Sequence, residues 1–202
     1  MGRNRGLLLA AVAAALGLGT AGAQAQSFMQ SGARTTQPVG HYEFCQRMPA
    51  ECAQKTADQP PVELTHKLWA KIVDVNNLVN TMVTPRTDKE MWGVEEYWSY
   101  PTSGYGDCED YALEKRRQLA KAGVPFGNLL MTVVRQPNGD GHAVLTVRTS
   151  MGDFVLDNLE PRVLAWDETQ YQFLKRQSDR NSGAWVAIDD DRQMLVGSVR
   201  KK

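Results

Sequence analysis

Three residues with the chemistry of a thiol enzyme follow one another along the chain. Cys108 lies in the sequence Gly-Asp-Cys-Glu-Asp, His142 follows a Gly-Asp-Gly turn, and Asp157 comes fifteen residues after the histidine. A thiol becomes a strong nucleophile when a neighbouring base takes its proton and a third group orients that base. The order cysteine, histidine, aspartate therefore predicts a nucleophile, its base and the residue that orients the base.

Each of these residues also has an ordinary structural interpretation. An odd cysteine can be a small buried hydrophobic residue, histidine occurs at strand ends, and Asp157 with Asn158 forms a turn sequence. The other two histidines, His41 and His66, fall in an N-terminal arm and in a structural helix. Because the three residues occur together, with the cysteine just before a predicted helix, the catalytic interpretation is favoured over three separate structural ones.

Acidic residues surround the candidate nucleophile. Asp107, Glu109 and Asp110 place three carboxylates beside the thiol, and like charge nearby opposes formation of the thiolate. A hard divalent cation with oxygen ligands would cancel that charge, so the pattern predicts calcium held by Asp107 and Glu109. Asp110 and Asn128 are further candidate ligands. The alternative is that Asp107 caps the helix while the other two carboxylates favour its positive end.

The other two cysteines lie close together near the start of the chain. Cys45 and Cys52 are seven positions apart, with Pro49 between them to favour a turn. We predict a disulfide between them, since a signal sequence directs the chain to a compartment where disulfides form. A zinc site is the competing interpretation, but the chain has three histidines and no second cysteine pair at finger spacing.

That signal sequence occupies the first 25 residues. Arg3 and Arg5 precede an apolar run over 7–18, and Ala-Gly-Ala and Ala-Gln-Ala follow with the small residues that a signal peptidase requires. Spanning a bilayer takes about 20 apolar residues, so an uncleaved membrane anchor is the less favoured alternative. The sequence therefore predicts a periplasmic protein, divided into a signal peptide, an arm with the disulfide and a catalytic domain, at 1–25, 26–60 and 61–202.

Length and charge limit the expected partners. The chain has 202 residues, which fits one main domain, and its 23 basic and 23 acidic side chains give no net charge. A balanced charge gives no general attraction to a polyanion. Nucleic acid is therefore not an expected partner.

Hydrophobic spacing predicts the helices that would position the candidate site. Apolar residues recur every three or four positions over 64–82, which predicts an amphipathic helix. Residues 84–106 combine prolines and glycines with aromatic residues, which favours an ordered loop packed by aromatic side chains. Helix-forming residues then run over 109–122 and stop at Gly123, so Cys108 falls at a helix start, where the peptide dipoles favour a thiolate.

The residues beyond this helix have the pattern of antiparallel strands, interrupted by a helical piece predicted at 169–176. Near the start of the chain, the polar stretch at 26–40 is predicted to be mobile. The hairpin that follows His142 returns Asp157 to the same end of the sheet. Helices followed by antiparallel strands predict an α+β domain. The predicted strands lie at 129–135, 142–148, 154–157, 184–188 and 194–199.

These motifs resemble those of the bacterial transglutaminase-like cysteine proteinases, the family of the LapG-type periplasmic proteases. The resemblance extends over about residues 61–199 and implies a papain-like or transglutaminase-like fold, in which a nucleophile-bearing helix packs on an antiparallel sheet. It implies Cys108 as nucleophile, His142 as general base and acid, and Asp157 as the residue that orients His142. The motifs that carry it are Gly106-Asp107-Cys108-Glu109-Asp110-Tyr111-Ala112, Gly141-His142-Ala143-Val144-Leu145 and Asp157-Asn158-Leu159.

The LapG-type branch of the family implies a substrate, a regulator and a metal. Its members are calcium-dependent proteases that cut large surface adhesins near the N-terminus and so release cells from a biofilm. The resemblance therefore implies a protein substrate, a surface adhesin in particular, and an inhibitory inner-membrane receptor. It also supports Asp107 and Glu109 as calcium ligands.

Aromatic residues upstream of Cys108 have two interpretations. Trp92, Tyr97 and Trp98 line the substrate groove, where one of them donates to the oxyanion together with the Cys108 backbone N–H, or they belong to the core. The core interpretation is favoured for most of them.

Three functions fit the candidate site. The first is an endopeptidase that forms an acyl-enzyme on Cys108, and the second is a transglutaminase-type acyltransferase that passes the same acyl group to an amine. The third is a binding or sensor module that keeps the fold without activity. The complete set of Cys108, His142 and Asp157 argues against this third function.

Overall fold

The computed structural model describes residues 28–192, and residues 1–27 and 193–202 lie outside it. The predicted signal peptide at 1–25 and the predicted strand at 194–199 are therefore among the residues that it does not describe. Within residues 28–192, no helix is both long enough and apolar enough to cross a membrane.

An antiparallel sheet is the centre of the described structure. Seven of the strands within residues 28–192 form this sheet in the order β1-β9-β8-β4-β5-β6-β7, with every neighbouring pair antiparallel, and β2 and β3 form a separate parallel pair. The meander β4-β5-β6 confirms the three strands predicted after the nucleophile helix. In chain order the strands are β1 (Ser31–Thr35), β2 (Thr84–Pro85), β3 (Tyr105–Gly106), β4 (Leu129–Arg135), β5 (Gly141–Thr149), β6 (Gly152–Leu156), β7 (Leu164–Ala165), β8 (Gln172–Ser178) and β9 (Asn181–Ile188).

The helices confirm the two that hydrophobic spacing predicts. The long amphipathic helix begins one residue after Thr65, whose side chain accepts a hydrogen bond from the Leu68 backbone at 3.1 Å, and Cys108 is the first residue of the nucleophile helix. The helices are α1 (Val39–Arg47), α2 (Pro49–Cys52), α3 (His66–Met82), α4 (Asp88–Trp92) and α5 (Cys108–Lys121), with short 3-10 helices at Phe126–Asn128 and Trp166–Glu168.

Burial of α5 fixes where its first residue lies. The helix packs against β4 and β5 on the sheet and against α3. Leu113 and Leu119 of α5 are fully buried and share one core with Ile72 of α3 and Leu145 of β5. Each such side chain contributes about 1.5–3 kcal/mol through its removal from water, so the helix is held firmly against the sheet. This arrangement confirms the predicted α+β class.

The predicted helix at 169–176 is wrong, because most of that segment forms a central strand. β8 pairs with β4 on one side and with β9 on the other. Its polar sequence conceals this position, since Arg176 is buried against Asp153 at 2.9 Å and Gln177 accepts a hydrogen bond from Arg116 at 3.0 Å. Polar side chains with buried partners fit inside a sheet. Those partners come from other elements and leave no mark on the local pattern.

The predicted mobility of residues 26–40 is also wrong for the part that the structure describes. β1 adds to the edge of the sheet beside β9. The Met29 backbone N–H donates to Asp153 at 2.9 Å, and Arg176 donates to the Ser31 hydroxyl at 2.8 Å. An edge strand is held largely by backbone hydrogen bonds. A polar composition therefore does not exclude one.

The predicted disulfide is present and joins α1 to the end of α2. Cys45 and Cys52 are bonded, with their Cα atoms 5.5 Å apart. His41 is fully buried beside the bridge and accepts a hydrogen bond from Trp185 Nε1 at 3.2 Å. Burial lowers the pKa of His41 to about 3, with the Arg116 charge contributing, so the imidazole is neutral. Both sulfurs are bonded to each other, so they are not free to bind a metal together with His41. His41 instead serves as a hydrogen-bonding partner for core residues such as Trp185.

A lysine of α5 is buried in the same core. Lys115 is fully buried, and its Nζ has no hydrogen-bond partner among the described residues. Burial lowers the pKa of Lys115 to about 7, and the charge of Asp157 opposes that shift. An ammonium group in this position destabilises the folded state, because it has lost its hydration and has gained only a distant contact with the Tyr111 ring, 5.9 Å from its centroid, and no hydrogen bond among residues 28–192.

We expect the disulfide to stabilise the N-terminal part of the fold. Replacing Cys45 and Cys52 together by Ala should lower the free energy of unfolding by about 2.5 kcal/mol, because a closed loop of this length restricts the unfolded chain by that amount. Denaturant unfolding measures the change. Protein denatured without reductant should contain one free thiol, which maps to Cys108. Alkylation of either bridge cysteine under those conditions would contradict the assignment.

Replacing Lys115 by Met should stabilise the protein in a pH-dependent way. The pKa of Lys115 is near 10.5 in the unfolded chain and falls to about 7 in the folded one. Between these pH values the unfolded state binds more protons than the folded state, so the stability of the wild type rises with pH. The gain should be about 1–4 kcal/mol below pH 7 and should shrink towards pH 10. Thermal unfolding across this range measures it. A gain that is the same at every pH would show that burial of the charge is not its cause.

Candidate active site

The thiol of Cys108 lies between the start of α5 and a group of carboxylates. The side chain is half-buried, and its Sγ donates a hydrogen bond to Glu109 Oε2 at 3.4 Å. Burial raises the pKa of the Cys108 thiol well above its usual range, the charges of Glu109 and Asp107 raise it further, and the Ala143 backbone opposes them. The helix dipole therefore does not suffice to form the thiolate here. Formation of the thiolate therefore requires a nearby base or a positive charge that offsets the carboxylates.

The hairpin of β5 and β6 brings His142 and Asp157 together. His142 is the second residue of β5 and Asp157 directly follows β6, so the two antiparallel strands place them side by side. His142 Nε2 and Asp157 Oδ1 are 2.8 Å apart, and both side chains are buried. Burial favours a raised pKa for Asp157, but hydrogen bonds from His142, Leu159 and Tyr171 lower it below its ordinary value. The aspartate is thus a carboxylate that accepts a hydrogen bond from the histidine ring N–H.

Cys108 and His142 line the same cleft. This cleft has a volume of about 420 Å³, and Lys175, Glu96 and residues 38–40 also form its walls. Because Nε2 of His142 donates to Asp157, the lone pair of the neutral ring is on Nδ1. The structure therefore brings all three predicted residues into one region, with Cys108 and His142 in the lining of one cleft and Asp157 bonded to His142.

Three carboxylates gather beside the thiol, and one of them was not predicted. Oxygen atoms of Asp88, Asp107 and Glu109 lie within 4.8 Å of one another. Asp107 Oδ2 accepts a hydrogen bond from the Asp88 backbone at 3.1 Å, and Asp88 accepts one from the Tyr97 backbone. Each of the three carboxylates has one buried oxygen without a donor among residues 28–192.

Sequence reasoning misses Asp88 because its local pattern has another explanation. Asp88 begins α4, where Thr87 and Glu90 form a capping box, and this fully accounts for an acidic residue in a first helical turn. It precedes Asp107 by 19 positions, with a loop between them. Asp88 lies just after β2 and Asp107 just after β3, and the parallel pairing of these two strands brings the two residues together.

The other two candidate ligands differ in position. Asp110 adjoins the cluster: its Oδ1 accepts from the Ser99 backbone at 2.7 Å, and its Oδ2 has no donor among the described residues. Asn128 is not part of the cluster, so its prediction as a calcium ligand is wrong. It follows the opposite end of α5, a helix of 14 residues, and donates to the Pro60 carbonyl at 3.3 Å. A helix of that length spans about 21 Å.

The acidic cluster has the properties of a cation site. Burial raises the pKa of Asp88, of Glu109 and of Asp110, the last to about 8, and the charge of Asp107 raises all three pKa values further. Buried carboxylates in contact must either take up protons or share a cation. The unpaired oxygens supply an all-oxygen donor set, which suits a hard ion such as calcium. The residues present therefore fit the predicted metal.

Of the three aromatic residues considered for the groove, one lines the cleft. Trp98 is buried at the cleft wall, and its Nε1 donates to Glu96 at 3.1 Å. The wall is close-packed, since a Cβ at Gly40 would lie 2.6 Å from Trp98 Nε1. Trp92 is instead 52% exposed and packs against Tyr97 with a ring separation of 5.0 Å.

Solved structures show proteins with a similar fold. Legionella pneumophila LapG is 26% identical, with a TM-score of 0.51 over 59% of this chain and 69% of that chain. Its EGTA-treated form is also 26% identical, with a TM-score of 0.50 over 59% and 67% of the two chains. The calcium-bound form is 22% identical, with a TM-score of 0.52 over 75% and 82%. A search of curated proteins found no match.

The family is established by a match over most of the chain. The model of the bacterial transglutaminase-like cysteine proteinases matches residues 31–193. This agrees with the resemblance carried by the cysteine, histidine and aspartate motifs, and with the α+β fold. The chain therefore belongs to the bacterial transglutaminase-like cysteine proteinases and is a cysteine peptidase.

Proposed function

We propose that the protein is a cysteine endopeptidase in which Cys108, His142 and Asp157 form the catalytic triad. The observation that carries the proposal is the 2.8 Å contact between His142 Nε2 and Asp157 Oδ1, made by a ring that lines the same cleft as Cys108. This contact selects the tautomer whose other nitrogen is a base. A nucleophile, a base and an orienting carboxylate thus occur in the order that thiol catalysis requires.

The geometry supports catalysis through an acyl-enzyme. His142 Nδ1 takes the thiol proton as the Cys108 sulfur attacks the peptide carbonyl, and the Cys108 backbone N–H at the start of α5 stabilises the oxyanion. The imidazolium then gives that proton to the leaving amine, the C–N bond breaks and a thioester remains. Water attacks the thioester while His142 removes its proton, and the proton returns to the sulfur as the acid product leaves.

We propose further that calcium binds the acidic cluster beside the nucleophile. Asp88, Asp107 and Glu109 would hold the ion, with Asp110 next to them. Support comes from the unpaired buried oxygens of these residues and from LapG, which has been solved in calcium-bound and EGTA-treated forms. When bound, the ion supplies positive charge that offsets the carboxylates. The residues themselves hold the loop that precedes α5 and so position Cys108.

We infer that the substrate is a large cell-surface adhesin, cut in the periplasm under control of an inhibitory inner-membrane receptor. Family membership supports a protein substrate, and the signal-like sequence at 1–25 supports export. The experiment compares surface and released proteins from cells that carry the wild type or Cys108→Ala. A new N-terminus that depends on Cys108 would identify the substrate. The mass of the other fragment, which carries the acyl group at its new C-terminus, would separate hydrolysis from transfer to an amine.

Substitutions in the triad should remove turnover without unfolding the protein. Cys108→Ser and His142→Ala should abolish cleavage of that substrate, and Asp157→Asn should lower kcat by about 10²–10⁴-fold through loss of the favoured tautomer. Melting temperatures should stay close to wild type. His66→Ala, an exposed histidine on α3, is the matched control and should cleave normally. A folded Cys108→Ser protein with wild-type activity would refute the thiol mechanism.

Removal of calcium should switch the enzyme off. EGTA should suppress cleavage, and excess calcium should restore it better than magnesium, because a flexible site with several carboxylates suits the larger ion. Asp107→Ala with Glu109→Ala should abolish calcium binding in a calorimetric titration. The control replaces Glu43 and Glu63, two exposed glutamates, and should bind as wild type does. If EGTA leaves activity unchanged and calorimetry detects no binding, the acidic cluster is only structural.

A further inference from the structure

We propose that Tyr171 is a positioning residue of the active site, which holds the Asp157 carboxylate in the orientation that accepts a hydrogen bond from the His142 ring N–H. The inference rests on the proposed triad and adds a fourth residue to it. None of the sequence motifs includes Tyr171, which lies one residue before β8 in a segment predicted as helix.

The two oxygens of Asp157 have different partners. Oδ1 lies 2.8 Å from His142 Nε2 and also accepts from the Leu159 backbone at 3.0 Å. Oδ2 accepts from the Tyr171 hydroxyl at 2.5 Å. With a donor on each oxygen the carboxylate plane cannot turn without breaking a bond, and so Oδ1 stays directed at the imidazole. The Tyr171 ring also packs against the His142 ring, with 5.5 Å between centroids.

Tyr171 is itself held in place by a hydrogen bond to its backbone carbonyl. Arg192 donates to the Tyr171 carbonyl at 2.6 Å and to the Thr169 and Trp166 carbonyls at 3.3 and 3.1 Å. An ion pair with Asp190 at 2.7 Å fixes the arginine in turn. One guanidinium therefore anchors the segment 166–171, which precedes β8. The position of the phenol is set by this anchored segment, as is expected of a side chain that must orient another.

A cavity next to Asp157 explains why a tyrosine is needed there. The cavity has a volume of about 390 Å³, and Asp157 and Tyr171 both line it, together with polar residues such as Arg162 and Glu168. It is large and polar enough to hold water. Without the hydroxyl, water from this cavity could solvate Oδ2, but water has no anchored position. Loss of Tyr171 should therefore weaken orientation of the triad without eliminating it.

The test compares two tyrosines whose hydroxyls make similar bonds. Tyr171→Phe should lower kcat about tenfold, since it removes one hydrogen bond to a charged group, and should leave KM within about twofold. Tyr111→Phe is the control, because the Tyr111 hydroxyl donates to the buried Val83 carbonyl at 2.6 Å and not to a residue of the triad. It should lower the melting temperature while keeping kcat.

A double substitution separates positioning from packing. In an Asp157→Ala background the Tyr171 hydroxyl has no carboxylate to hold, so Tyr171→Phe should cause no further loss of kcat. Phe keeps the ring that packs on His142, so a role in packing alone would leave kcat unchanged in both backgrounds. That result, or an equal loss of kcat in both backgrounds, would overturn the proposal.

A readout that needs no turnover distinguishes this inference from the proposed function. The His142 ring N–H bonded to Asp157 should give a proton resonance protected from exchange in wild type and in Tyr111→Phe, and broadened or lost in Tyr171→Phe. An unchanged resonance in Tyr171→Phe would overturn the inference, even if the triad is correct. If the resonance is lost in Tyr171→Phe while Cys108→Ala still cleaves substrate, Tyr171 positions the pair and the proposed thiol mechanism is the part that fails.

Discussion

Burial of several carboxyl groups around one helix start is the constraint on which this site depends. Asp88, Asp107, Glu109 and Asp110 lie beside the Cys108 thiol, and removal from water raises the pKa of the thiol and of most of these carboxyl groups. Other oxygens of these carboxyl groups accept hydrogen bonds from backbone N–H groups of the loop that precedes α5, and these bonds hold the loop against the helix. The same carboxylates that oppose formation of the thiolate therefore hold the loop beside it, and the proposed cation would offset their charge.

The other half of the site is governed by hydrogen bonds in a rigid sheet. His142 lies on β5 and Asp157 directly follows the adjacent strand β6, and donors on both carboxylate oxygens lower the pKa of Asp157 although it is buried. The core connects the halves, because α5 packs directly on β5. A shift of α5 would move the thiol of Cys108 relative to the imidazole. The apolar packing of α5 is thus a requirement for the proposed chemistry as well as for stability.

The N-terminal segment takes part in the same arrangement. β1 extends the sheet, the Cys45–Cys52 bridge closes the turn after α1, and residues 38–40 form one wall of the cleft. Trp98 packs against Gly40 at that wall. The segment that composition alone describes as a polar arm therefore shapes the space open to a substrate.

The sequence alone determined features that are local or that recur as motifs. Apolar spacing gave the two long helices and the β4-β5-β6 meander, and the motifs around Cys108, His142 and Asp157 identified the family. Tertiary structure alone decided that 172–178 is a central strand, that Asp88 joins the acidic cluster and that Tyr171 reaches Asp157. The physical reason is that each of these depends on a partner from another part of the chain: a neighbouring strand, a carboxylate across a loop or a carboxylate at the end of another strand. Local periodicity reports which face of an element is apolar, but it does not report what that face meets.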